Sequence, residues 1–337
     1  MQAILAQITE GTHLRPEQAT GVMEMIASGE ATGAQIASLI TALRMKGETA
    51  EEITSFVQVL LRHAVTIRPD VSGRMVDTCG TGGDGARTFN ISTAAAFVAA
   101  GAGVPVVKHG NRSVSSSCGS ADVLEALGVK IDLSPERVCS VIEETGIGFL
   151  FAPAFHPALR HAAAARKELG FSSVFNLLGP LLNPARAPAR LCGVFSPALV
   201  DQFATVLQAL GAERAMVVHG QGLDEITVAG PTIVAEIDGG SIRRYTITPE
   251  MAGISRSPHS ALAGHSPQYN AAIIRRILSG TPGPAHDVVV LNAGAAIFLG
   301  GEAPDLLHGV EKAEDAIASG AAAKRLEALV QASRSER

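Results

Sequence analysis

Val76-Asp77-Thr78-Cys79-Gly80-Thr81-Gly82-Gly83-Asp84-Gly85 decides the fold class, together with Thr88-Phe89-Asn90-Ile91-Ser92-Thr93 and the alanine-rich run behind it. A short apolar strand runs into a glycine-dense loop and then into a helix that begins with Ser and Thr. Glycines permit positive φ and let backbone N–H groups approach an anion, while a helix N-terminus adds positive potential. The stretch therefore reads as a phosphate cradle. It is not a Walker A loop, because no Gly-Lys-Ser/Thr closes it, and it lacks the Gly-x-Gly-x-x-Gly dinucleotide spacing. A glycine cluster after a strand is as often a plain tight turn. The Ser, Thr and Asn that follow tip this one toward a ligand.

Downstream, short apolar strands alternate with helices. Strands are expected at Arg74–Asp77, Val104–Lys108, Gly148–Ala152, Leu191–Phe195, Ala215–His219 and Val288–Leu291. Ser120 precedes a helix over Ala121–Leu127, and Ser134-Pro135 precedes one over Arg137–Glu144. This alternation predicts an α/β domain with a mainly parallel central sheet. Thr232–Ile237 and Ile242–Ile247, joined through Gly239-Gly240, read as an antiparallel hairpin. Ala313–Val330 reads as one amphipathic helix. Upstream, the first 65 residues read as short helices, with Pro16 at one start and capping boxes at Thr32/Gln35 and Thr49/Glu52. Ile53, Phe56, Val57, Leu60 and Leu61 recur at helical spacing. So short a unit must dock its apolar face on the rest of the chain or on a second copy.

Composition sets the outer limits. The chain has 337 residues, with 27 Lys+Arg against 32 Asp+Glu, giving a net charge of −5. Hydrophobic residues at 47% against charged residues at 18% exclude general disorder. Aromatics are 4% with no Trp, which argues against a base-stacking platform, and the acidic balance argues against a phosphate-backbone binder. Cys79, Cys118, Cys139 and Cys192 are widely spaced, fitting a reducing compartment better than a disulfide framework or zinc site. No signal peptide is read, and no stretch supplies the roughly 18–20 unbroken apolar residues of a membrane span. A soluble cytoplasmic protein is expected.

Three further segments carry chemistry. Lys108-His109-Gly110-Asn111-Arg112-Ser113-Val114-Ser115-Ser116 follows a strand, and Gly119-Ser120-Ala121-Asp122 opens a helix. Ligands of parallel α/β sheets sit outside such strand ends. In the second segment, Leu159, Ala162, Ala163, Arg166 and Leu169 lie roughly on one helical face. Arg166 suits bidentate carboxylate recognition, although spacing alone favours a salt bridge or simple exposure. His156, taken alone, reads as structural. The third segment, His219-Gly220-Gln221-Gly222-Leu223-Asp224-Glu225, places two carboxylates after a strand, where they could hold Mg²⁺ together with substrate phosphates. No covalent catalyst stands out. The pattern suggests electrostatic catalysis on a phosphorylated substrate.

Taken together, these segments and Phe175-Asn176-Leu177-Leu178-Gly179-Pro180-Leu181-Leu182-Asn183-Pro184 resemble the anthranilate phosphoribosyltransferase family over nearly the whole chain, in the right order. The resemblance implies a nucleoside phosphorylase/phosphoribosyltransferase-like fold. Residues 1–70 would form a small helical domain, joined by a helical segment near 166–190, and residues 71–337 a large α/β catalytic domain. It implies a homodimer formed through the helical part, with no nucleic-acid or membrane partner. The implied reaction moves phosphoribose from phosphoribosyl pyrophosphate (PRPP) to the amine of anthranilate, releasing pyrophosphate, for tryptophan biosynthesis. Two Mg²⁺ per site are implied. PRPP would be held by Gly80, Gly83, Asp84, Thr88, Asn90, Ile91, Ser92 and Thr93. Lys108, His109, Gly110, Asn111, Arg112, Ser113, Val114, Ser115, Ser116 and Ser120 would complete its site. Ser92 would meet one Mg²⁺, and Asp224 and Glu225 the other. Gly80, Asn111 and Arg166 would position anthranilate, with His109 and His156 lining its path.

Two departures from the family stand out: Ser172-Ser173 where Arg-Thr is usual, and Ser117-Cys118 where a Lys is common. The first touches no implied ligand residue, and the second could weaken phosphate affinity. Two other readings compete: a pyrimidine nucleoside phosphorylase, for which Asp224 and Glu225 would be superfluous, and a non-catalytic nucleic-acid-binding relative, which the charge of −5 disfavours.

Overall fold

The structure, a computed structural model, describes residues 1–113 and 118–335. Val114, Ser115, Ser116 and Ser117, which carry part of the PRPP expectation and one departure from the family, lie outside the described residues.

The N-terminal unit consists of helices Gln2–Thr9, Pro16–Ala27, Gly33–Lys46 and Ala50–Arg62. Both capping boxes form. Gln35 N–H donates to Thr32 Oγ1 at 3.3 Å and Glu52 N–H to Thr49 Oγ1 at 3.1 Å. The side chains of Gln35 and Glu52 return the bond to the Thr32 and Thr49 amides. Ile53, Phe56, Val57 and Leu60 are buried as their spacing predicts. They join a core that continues into helices Arg160–Leu169, Val174–Leu178 and Leu199–Ala209. The apolar face thus docks on this chain's own later segments.

Seven strands form one sheet: β1 (Val76–Asp77), β2 (Val106–Gly110), β3 (Ile147–Phe151), β4 (Ala189–Gly193), β5 (Arg214–His219), β6 (Thr232–Asp238) and β7 (Ser241–Ile247), in the order β3-β2-β1-β4-β5-β6-β7. The first five are parallel, and β6 and β7 add the expected antiparallel hairpin. The chain builds outward from β1 to β3, then returns to the other side of β1 with β4. Loops leaving β1 and β4 therefore diverge, and a crevice opens at their carboxyl ends.

Three expectations need correction. Val288–Leu291 is not a strand but lies inside the buried helix Pro284–Gly300. Its β-branched residues imitate a strand, yet the apolar run continues through Leu299, and a helix apolar all round is a core helix. The tail is two helices, Leu306–Ala318 and Ala321–Arg334, separated by Gly320. Gly119, not Ser120, caps the helix Ser120–Leu127.

Candidate active site

The crevice holds a cleft of about 340 Å³ at the carboxyl ends of β1, β2 and β4. Its floor starts from Asp77, buried at the end of β1. Asp77 accepts the His109 N–H at 3.1 Å and the Asn183 side-chain amide at 2.7 Å. Asn183 also donates to the Val107 carbonyl at 2.8 Å, so β1, β2 and the Pro180 region are locked in register. Burial pushes the Asp77 carboxyl up, and the Arg190 guanidinium opposes that push.

The glycine loop then folds back over β4. Thr81 N–H donates to the Gly193 carbonyl at 2.9 Å, and Gly82 N–H to Asp224 Oδ2 at 2.6 Å. A Cβ on Gly80 would stand 2.7 Å from Asp224 Oδ2, and one on Gly193 only 1.5 Å from the Asp224 carbonyl oxygen. Only bare backbone lets the acidic loop settle there. Behind it, Asn292 clamps the Ile226 backbone from both sides, accepting its N–H at 3.0 Å and donating to its carbonyl at 2.8 Å. His219 fastens the start of the same loop, through the Val194 carbonyl at 2.8 Å and the Gly222 N–H at 3.1 Å.

Lys108 is 4% exposed. Its ammonium donates to the Thr78 carbonyl at 3.2 Å and to the Thr78 and Ser92 hydroxyls at 3.3 and 3.2 Å, with no carboxylate at ion-pair distance among the described residues. Asn90, at the mouth of the helix Ile91–Gly101, is fixed by donating to the Cys118 carbonyl and accepting from Asn270. The cradle is accordingly a ring of backbone N–H groups, hydroxyls and one buried ammonium, all converging at a helix N-terminus.

Glu225 accepts the Ser92 N–H at 3.1 Å, and Asp224 N–H lies 3.4 Å from Asp84 Oδ2. Burial, and then Asp84, raises the Asp224 carboxyl; burial, and then Asp224, raises Glu225. Partly buried acids facing one another, with no cationic side chain at ion-pair distance among the described residues, fit a divalent cation. No group of three or more His, Cys, Asp or Glu among the described residues makes a complete metal cage. That donor set suits Mg²⁺, which binds through one or two carboxylates and takes its remaining ligands from water and phosphate.

The other end of the cleft is differently furnished. Arg166 lies half-buried over the Phe175 ring, 5.1 Å from its centroid, and has no acidic partner among the described residues. Burial pushes its guanidinium down. Arg166 is thus neither salt-bridged among the described residues nor fully exposed, the two outcomes spacing favoured, and it lines the cleft as an unpaired cation there. Phe175, Asn176, Gly179 and Pro180 complete this wall.

Gly80, Gly83, Asp84, Thr88, Asn90–Thr93, Lys108–Ser113, Ser120, Arg166, Asp224 and Glu225 all line the one cleft. Two placements differ from expectation. His156 is buried one layer behind the wall, its ring edge-on to His109 with centroids 5.2 Å apart. Burial holds both imidazoles neutral, His156 down to about 4 and His109 well below its usual range. Arg112 lines the rim but spends its guanidinium on Glu125 and Asp122. Sequence reasoning assigned no role to Arg87, Phe175, Asn176 or the supporting Asn183 and Asn292. Phe175–Pro184 did carry a signal, since a polar residue inside an apolar run at a turn marks a buried hydrogen-bonding position.

Residues 2–64 match the helical bundle domain of the glycosyl transferase family, and residues 72–323 match that family's a/b domain. The chain is 54% identical to the anthranilate phosphoribosyltransferase of Methanocorpusculum labreanum over 326 residues, 97% of this chain and 96% of that protein. The structure is similar to the crystal structure of anthranilate phosphoribosyltransferase from Thermus thermophilus, with TM-score 0.92 and 46% identity over 98% of this chain and 99% of that one. It is also similar to the enzyme from Saccharomyces cerevisiae in complex with PRPP and Mg, with TM-score 0.89 and 29% identity over 99% and 98%.

Proposed function

We infer the chemistry of the cleft from a plain premise: the chain belongs to the glycosyl transferase family and, within it, to the anthranilate phosphoribosyltransferases. It transfers the phosphoribosyl group of PRPP to the amine of anthranilate and releases pyrophosphate. The bond from ribose C1 to the pyrophosphate oxygen breaks, the bond from C1 to the amine nitrogen forms, and the amine gives up one proton. Positive charge develops on the ribose and negative charge on the leaving group. Groups already aimed at that charge lower the barrier most.

The loop Gly80–Asp84, Asn90–Thr93 and Lys108 bind the pyrophosphate side and the growing negative charge. Asn111, Ser113 and Ser120 take the remaining phosphoribosyl oxygens. Ser92, Asp224 and Glu225 are the residues that would hold Mg²⁺, two ions per site, and bound Mg²⁺ would supply charge neutralisation to the polyphosphate. Arg166 grips the anthranilate carboxylate with Gly80 and Asn111 beside it, which turns a bimolecular encounter into a positioned attack. The aromatic amine is neutral at pH 7 and needs no strong base. Neutral His109, backed by His156, offers an uncharged wall for the ring.

The observation that carries this reading is the half-buried guanidinium of Arg166, without an acid partner among the described residues, across the cleft from a phosphate cradle. Protein with PRPP, Mg²⁺ and anthranilate is expected to quench anthranilate fluorescence. A folded protein that leaves the fluorescence unchanged would sink the substrate assignment. The chain also works as a cytoplasmic homodimer joined through its helical domain, which sedimentation at micromolar concentration would show as twice the 34.7 kDa chain mass.

A further inference from the structure

A second cavity, of about 300 Å³, opens where helix Ala50–Arg62 meets the end of helix Leu199–Ala209 and the approach to β4. It shares no wall residue with the catalytic cleft. Arg62, Arg186 and Arg190 line it with Gln58 beside them, and no carboxylate is in its wall.

Arg190 is 7% exposed. It donates from Nε to the Ala187 carbonyl at 3.4 Å and from Nη1 to the Pro180 carbonyl at 3.2 Å, but has no carboxylate at ion-pair distance among the described residues. Asp77 acts on it only from further away. Arg186 is exposed and also has no acid partner among the described residues, and its backbone stands at φ +48°, in the left-handed region that ordinary residues rarely adopt. Arg62 is paired with Glu24. One largely buried guanidinium and two exposed ones thus border a cavity whose wall offers them no acid, which is the setting an anion would complete.

We propose that this cavity, at the junction of the helical and α/β domains, is a binding site for a small phosphate-bearing ligand. Guanidinium forks match phosphate oxygens in pairs, and Leu207 and Leu210 offer an apolar side for a small organic body. The volume sits at the lower end of small-molecule pockets, roughly 300–1,000 Å³. Because the walls come from both domains, an occupant ties them together and stabilises the folded chain by mass action. The site stands apart from the catalytic reading and does not depend on it.

The test titrates the full chain with inorganic phosphate by calorimetry, without Mg²⁺ and with chloride holding the ionic strength constant. Arg186→Ala removes a cavity arginine outside the catalytic machinery, and Lys108→Met disables phosphate binding in the cleft. The expected result is a phosphate-binding phase that Lys108→Met retains and Arg186→Ala weakens on the order of tenfold, the worth of one charge-assisted contact. If Arg186→Ala does not fold, Arg62→Gln reads the same phase. A phase lost in Lys108→Met and kept in Arg186→Ala, or no phase at all, would overturn the proposal. Malonate competing better than phosphate at the Arg186-dependent phase would overturn the phosphate assignment.

Discussion

Glu52 is fully buried and the Asp224-Glu225 pair partly so, and their surroundings answer that burial in opposite ways. In the helical domain, both Glu52 oxygens meet the Lys46 ammonium, at 2.9 and 2.8 Å, and also accept the Leu14 and Thr49 amides. Nothing further is needed. In the cleft, Asp224 and Glu225 accept the Gly82 and Ser92 amides and face Asp84, with no cationic side chain at ion-pair distance among the described residues. The first acid is compensated by the fold. The second has no such answer within the fold, and under the proposed function a cation and a polyphosphate supply it, which is how a binding site differs from a structural pair.

Substitutions at the two places should therefore part company. Glu52→Gln strands the Lys46 ammonium in the interior, and removing one partner of a buried pair costs about 3–5 kcal/mol. Urea unfolding is expected to show that loss while kcat of the folded protein holds. A cost near zero would erase the contrast.

Asp224→Asn should behave in reverse. Activity falls on the order of a hundredfold or more, the scale of losing one group aimed at transition-state charge. The melting temperature stays level or rises, because a partly buried charge crowded by Asp84 is gone. A melting temperature that drops as in Glu52→Gln would make Asp224 a structural acid.

Arg166→Ala probes the cleft's unpaired cation. The expected effect is a rise of about tenfold or more in KM for anthranilate, the worth of a charge-assisted contact, with KM for PRPP unchanged. A change confined to PRPP would move Arg166 to the other substrate.

The smallest effect belongs to an intermediate case. His286 is held above its usual range, first by Asp287 and then by Glu314. A raised histidine contributes stability that is complete below about pH 6.5 and fades as pH rises through its folded value. His286→Gln should flatten that part of the stability–pH curve by under about 1 kcal/mol, because the acids around it are partly solvated. An unchanged curve would leave the pairing without consequence.

The parts legible in the sequence were those encoded locally. Glycines after a strand, Ser and Thr at a helix start and a Gly-Gly turn each declare a backbone geometry within a few residues. The run Val288–Leu291 was misleading because β-branched residues in a fully buried helix carry no polar face to reveal the period. Arg166 could not be read from spacing, since its lack of an acid partner among the described residues depends on where distant segments fold. His156 was drawn toward the ligand by the resemblance, although its place is a layer behind. Glu52 concealed a second role. The capping box accounts for it in sequence, while the contact with Lys46 exists only after the chain turns between two helices.

The helical domain is not a bead on a single string. The chain leaves it after Arg62 to build β1–β3, returns for Arg160–Leu169 and Val174–Leu178, and departs again for β4. Three covalent passages cross one seam, and the arginine-lined cavity lies along it. A protease that cut one passage would leave the two halves attached through the others, and neither half could be lifted out of the sequence as one uninterrupted segment.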